Sequence, residues 1–224
     1  MQVKAFDHVA LWVDEREELA RFLCDVCGMH EIERTDTFTL VGGDAREGKL
    51  TLFDAEGPRA RGVLERIVLR VPNLDECLER ALGAGPAVRS NGGVAVDGPA
   101  NVPLGLVAAA SPVDLDHVVL TVADPESTAT ALAGLGFSRA GDRLEVGDRH
   151  VLLRAGEVPD EERPLLNHLA LLVASVDETL RHAEEHALEV DRVVDAPNTL
   201  AAFVVGPDRI TVEYVEHKPG FALV

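Results

Sequence analysis

Leu166-Asn167-His168-Leu169-Ala170-Leu171-Leu172-Val173 repeats a pattern met at Leu115-Asp116-His117-Val118-Val119-Leu120-Thr121-Val122 and at Phe6-Asp7-His8-Val9-Ala10-Leu11-Trp12-Val13. A weaker copy is Leu64-Glu65-Arg66-Ile67-Val68-Leu69-Arg70-Val71. Each is a short run rich in Val and Leu that reads as a strand, and internal repetition of this kind decides the fold before any motif is considered. A polar or proline-containing turn and a helical stretch follow, as at Leu19–Val26, Asp75–Leu82 and Asp177–His186. Asp177 and Asp124-Pro125 supply helix starts, and Gly83, Gly134 and Gly136 supply helix ends. Further strands fill the remainder, so the unit is one strand, one helix and several strands. Four units make two pairs with a seam near Ala108–Val113, which predicts an α+β protein of two similar halves, residues 1–110 and 111–224.

Side chains alternate across a strand, so His117 shares a face with Val119 and Thr121, and His168 shares one with Ala170 and Leu172. The same residue in the same register of two equivalent strands predicts two imidazoles converging on one concave surface. Ile210-Thr211-Val212-Glu213-Tyr214-Val215 is a further strand that carries a carboxylate between apolar neighbours. An acid so placed is costly unless it is paired or bound to metal. Taken singly, a strand histidine is usually satisfied by a hydrogen bond and a glutamate usually faces water. Together, His117, His168 and Glu213 are expected to hold one divalent ion and leave its other coordination positions open.

The strand-His pattern, the four βαβββ-type units and the terminal strand bearing Glu resemble the vicinal-oxygen-chelate superfamily, which includes glyoxalase I, bleomycin- and fosfomycin-resistance proteins and extradiol ring-cleavage dioxygenases. The resemblance covers essentially the whole chain. It implies two tandem vicinal-oxygen-chelate domains, with the metal ligands His117, His168 and Glu213 in the C-terminal one. The N-terminal half has His8, Arg66 and Gly105 at the matching positions; one imidazole without partners makes no stable site, so that half is expected to be structural. The family's acid–base histidine corresponds to His150, within Gly147-Asp148-Arg149-His150. Phe203 stands where the extradiol signature has a tyrosine, and a phenyl ring cannot hydrogen-bond substrate or oxygen.

The resemblance therefore implies an Fe(II) extradiol-type dioxygenase acting with O2 on a catechol-like aromatic, Mn(II), Zn(II) and Ni(II) being the other candidate ions. The alternatives are a glyoxalase-like isomerase or lyase using the same ion, and a non-catalytic ligand-binding resistance protein. A homodimer is left open.

The formal net charge of −18, with no basic run, sets nucleic acid aside as a partner. No stretch approaches the roughly 20 apolar residues of a membrane span, and the start of the chain runs straight into strand-like sequence, so a cytoplasmic protein without a membrane partner is expected. Cys24, Cys27 and Cys77 cannot all pair and are expected to be reduced, with the Cys24–Cys27 spacing falling at helix positions. His182-Ala183-Glu184-Glu185-His186 reads as a solvated helix face, and Gly42-Gly43 and Asn91-Gly92-Gly93 read as hairpin turns.

Overall fold

The computed structural model describes residues 1–85, 87–159 and 162–223 apart from Asn91, Gly92 and the side chain of Ser90, so the Asn91-Gly92 turn lies outside the described residues. The chain forms four consecutive modules of one strand, one helix and three strands. The first comprises β1 (Val3–Val13), α1 (Arg16–Asp25), β2 (His30–Arg34), β3 (Phe38–Gly42) and β4 (Lys49–Asp54). The second comprises β5 (Leu64–Val71), α2 (Leu74–Ala84), β6 (Ala87–Ser90), β7 (Gly93–Asp97) and β8 (Pro103–Ala108). The third comprises β9 (Asp114–Val122), α3 (Pro125–Gly134), β10 (Ser138–Ala140), β11 (Arg143–Val146) and β12 (Arg149–Ala155). The fourth comprises β13 (Leu166–Val173), α4 (Val176–Glu185), β14 (Val190–Asp195), β15 (Thr199–Val205) and β16 (Thr211–His217).

Helix boundaries follow local chemistry. Asp124 caps α3 by accepting from the amides of Glu126 and Ser127, with Pro125 in the first turn, as its sequence predicts. In α4 the cap is Ser175, and Asp177 lies inside the first turn, where its charge suits the helix dipole. Gly83 falls within α2, whose cap is Gly85. After α3 the chain turns at Gly136 with φ +101°, a conformation that favours glycine.

The modules pair by a rule that their order in the chain does not reveal. One eight-stranded sheet runs β14-β15-β16-β13-β1-β4-β3-β2, and the other runs β10-β11-β12-β9-β5-β8-β7-β6. The first module thus joins the fourth through an antiparallel β1–β13 seam, and the second joins the third through β5–β9. Each sheet takes one module from either side of residue 110, so the hydrogen-bonded units are not the two sequence halves. The inner strands β1 and β13 are buried on both faces, which accounts for their nearly unbroken apolar runs.

One continuous apolar cluster draws on both sheets, including Phe6, Leu11 and Leu171 from the first and Ile67, Leu69 and Val118 from the second. Tyr214, which is 1% exposed, ties β16 to the end of α3 by donating a 2.7 Å hydrogen bond to the Leu135 carbonyl. Tyr214→Phe leaves that carbonyl without its donor and is expected to cost about 1–2 kcal/mol, measured by urea unfolding. An unchanged midpoint would show that this tie contributes nothing.

The cysteines are free; Cys27 and Cys77 are buried, and burial pushes the Cys27 thiol far above its ordinary range, so it stays protonated. Among the described residues no helix is long and apolar enough to cross a membrane.

Candidate metal centre

The antiparallel register of β1 on β13 opposes His8 to Ala170 and Ala10 to His168. Directly opposed residues share a face, so both histidines rise from the same side of the seam, each across from a methyl group small enough to leave it room. On the far side of β13, β16 runs parallel and sets Glu213 beside Ala170. The three side chains converge. His8 Nε2 and His168 Nε2 lie 3.0 Å apart, and Glu213 Oε2 is 3.1 Å from the first and 2.8 Å from the second. All three residues are buried.

His168 and Glu213 therefore come together as their sequence predicts, but the second histidine is His8 and not His117. The cause is module pairing: His117 lies on β9 in the other sheet, whereas β1 is the strand that meets β13. His150 is also in that other sheet, paired with His117 across β9 and β12. Their rings stack at 4.7 Å and 16°, and a donor nitrogen of each lies within 4.8 Å of the other. Asp116 completes that half-exposed group, and Leu152 occupies the position equivalent to Glu213. His150 is not among the residues that line the cavity at Glu213 and His168. On α4, His182, Glu185 and His186 form a half-exposed to exposed cluster, as expected of a solvated face.

The donor set fits a divalent ion. The Nδ1 of His8 is held at 2.7 Å by Asp7 and that of His168 at 3.0 Å by the Asn167 side chain. Acceptors in those places fix the Nδ1–H tautomer and leave each Nε2 with a lone pair aimed at the common point. Two such lone pairs and a carboxylate oxygen within about 3 Å repel one another unless a cation lies between them. The charges agree. Burial opposes ionisation of Glu213, but His168 and His8 outweigh it and hold its carboxyl well below the usual carboxylate range. Burial likewise works against a charge on His8, but Glu213 and Asp7 override it and push its pKa up to about 9. A field that favours positive charge at this point favours a bound cation. Local symmetry places Thr51 of β4, beside Ala10, at the position matching Glu213. Candidate donors thus come from three of four equivalent strand positions, the fourth offering only a hydroxyl.

The cluster forms one wall of a cavity of about 560 Å³, a size that suits a small organic molecule. Phe38, Phe53, Phe203 and Phe221 give it an aromatic lining. Phe203 meets the His168 ring edge-on at 5.2 Å, and the Arg192 guanidinium lies 3.8 Å above the Phe203 ring. Phe203 thus stands beside the candidate donor His168.

Lys49 and Asp7 were not singled out by the sequence. Lys49 is 3% exposed, forms an ion pair with Asp7 Oδ1 at 2.9 Å and donates to the Ala45 carbonyl at 2.8 Å. Burial opposes the charge on Asp7, which is 2% exposed, but Lys49 and hydrogen bonds from His217 and His8 hold its carboxyl well below the usual range. A lysine in an otherwise apolar strand beside a repeated Asp-His pair was the available signal.

Residues 5–99 match the model of the Glyoxalase/Bleomycin resistance protein/Dioxygenase superfamily. No curated protein sequence matches the chain. Among solved structures, a candidate dioxygenase from Bacillus subtilis superposes with TM-score 0.79 at 18% identity, covering 99% of this chain and 87% of its own. Glyoxalase I from Zea mays gives TM-score 0.74 at 16% identity over 96% of this chain and 92% of its own. The cppA protein from Streptococcus pneumoniae gives 0.70 at 14% identity over 96% and 100%. At these identities the likeness is one of fold. Residues 5–99 are thus similar in sequence to the glyoxalase, bleomycin resistance and dioxygenase superfamily, and the whole chain shares its fold with these structures.

Proposed function

We propose that the chain is a metal-dependent enzyme in which His8, His168 and Glu213 hold a divalent ion, and that it acts as an extradiol-type dioxygenase on a catechol-like aromatic. The observation that carries this reading is the set of two histidines and one carboxylate on three neighbouring strands, with only the Thr51 hydroxyl at the fourth position. That ligand type leaves positions open and is characteristic of non-haem Fe(II) oxygenases. The ion would bind two adjacent substrate oxygens and dioxygen together and stabilise anionic oxygen. The chain's own part is to fix the imidazoles through Asp7 and Asn167, to exclude water with the four phenylalanines and to hold a flat substrate among their rings. Mn(II) would serve the same chemistry.

A second reading, a glyoxalase-like isomerase or lyase using Zn(II) or Ni(II), is favoured by one observation: Phe203 offers no hydroxyl to the cavity, and the chain's one tyrosine, Tyr214, bonds to the Leu135 carbonyl instead. A metal-free resistance protein does not account for the three converging donors.

The test is metal analysis of protein purified without oxygen, followed by oxygen uptake with a panel of catechols and isomerisation of a glutathione hemithioacetal. Iron or manganese with catechol-dependent oxygen uptake supports the dioxygenase. Zinc or nickel with isomerisation supports the second reading, and a protein that retains and binds no metal overturns both.

A further inference from the structure

The same cavity contains an imidazole that takes no part in the ligand cluster. His217 ends β16 four residues beyond Glu213, so alternation returns it to the same face. Its Nε2 is 2.9 Å from Asp7 Oδ2, while the other oxygen of that carboxylate holds His8 and Lys49. Phe221 stacks on its ring at 4.0 Å and 11°, which fixes the ring plane. Because Asp7 is an ionised acceptor, the proton of a neutral His217 sits on Nε2 and the lone pair on Nδ1. Among the described residues Nδ1 has no hydrogen-bond partner, and His217 lines the cavity.

We propose that His217 is the catalytic acid–base residue of this site, taking a hydroxyl proton from the bound vicinal-oxygen substrate on Nδ1. The inference rests on reading the cavity as a metal-enzyme active site. In the step, the substrate O–H bond breaks, an N–H bond forms at Nδ1, and the electron pair stays on the substrate oxygen. The resulting imidazolium lies against the Asp7 carboxylate, and the proton later returns to a product oxygen, which restores the enzyme. Orientation of an imidazole by a buried carboxylate is a recurrent way to make it a base.

Glu33 and Arg192 also line the cavity, and the charged groups on the elements around His217 are committed elsewhere. Lys49 of β4 is committed to Asp7 and the Ala45 carbonyl, and an ammonium cannot accept a proton. Lys218 turns to Asp195 and the Ala196 carbonyl. Glu213 and His8 belong to the ligand cluster, and Thr199 faces His217 from β15 without a titratable group.

The experiment compares His217→Gln and His217→Ala with wild type in the metal-loaded protein. Glutamine can still donate to Asp7 but cannot serve as a base. Metal content should be unchanged, kcat should fall about 100-fold with little change in KM, and added imidazole should restore part of the activity of His217→Ala. Full turnover by His217→Gln, or loss of metal in step with activity, would overturn the role. Anaerobic binding of 4-nitrocatechol, whose colour reports its ionisation, separates this from the underlying reading. Wild type should bind it as the anion at lower pH than His217→Gln does. Equal ionisation in both proteins overturns the His217 assignment alone, and failure of metal-loaded wild type to bind the probe overturns the active-site reading and the assignment with it.

Discussion

Replacing His8 by alanine is expected to weaken divalent-metal binding by at least about 100-fold, because it removes one of the three proposed protein ligands and would leave Glu213 and His168 unable to close on the ion. His168→Ala should do the same, and His117→Ala should leave affinity unchanged. The contrast discriminates because His8 and His117 occupy equivalent positions in two copies of one repeat and differ in the sheet they enter. Competition titration against a coloured chelator reads all three variants on one scale. Tight binding by His8→Ala with loss in His117→Ala would mean that the ion sits in the other sheet, and the site assignment would fall.

The second large effect is on stability. Lys49→Met removes the ammonium from beside a carboxylate that is 2% exposed, leaving Asp7 only the two histidines. Breaking a buried ion pair from one side typically costs about 3–5 kcal/mol, whereas replacing both partners often costs much less. Lys49→Met should therefore lower unfolding free energy by about 3–5 kcal/mol, and the double variant Asp7→Asn/Lys49→Met should recover much of it. The pH dependence follows from the same pair. A carboxyl held low in the folded state contributes fully above its unfolded value near about 4, and that contribution is lost as pH falls toward the depressed folded value. Wild type should accordingly lose stability on acidification below about pH 4 more steeply than the double variant. A loss under about 1 kcal/mol for Lys49→Met would show that Asp7 reaches water or picks up a proton cheaply.

The repeat made the module architecture legible, since each copy carries its strand pattern, its helix and its turn chemistry locally. Ser175 and Asp124 show how local that information is, because each caps its helix with its own side chain. Two of the three converging donors were legible for the same reason: a carboxylate in an apolar strand and a histidine in a repeated register are costly without a function. The third was not. His8, His117 and His168 sit in nearly identical strands, and nothing within eight residues of any of them says which strand it will lie beside. That choice depends on how whole modules dock, through contacts spread over β1–β13 and β5–β9. His217 and Lys49 were hidden for a related reason, because their meaning lies in Asp7, more than 200 residues from one and about 40 from the other.

The union of the first and fourth modules also sets an order of assembly. His8 and His168 are separated by 160 positions, so β1 emerges from the ribosome long before β13 can cover it. The second and third modules, adjacent in the chain, can close their sheet while the first still lacks its partner. Such long-range pairing slows folding, and β1 meanwhile presents an unpaired apolar edge of the kind that chaperones recognise and that aggregates form on. A metal ion captured at the end of this sequence would act as a clasp across the seam, so, on the proposed site, the newly made chain should be most vulnerable to proteolysis in cells starved of that ion.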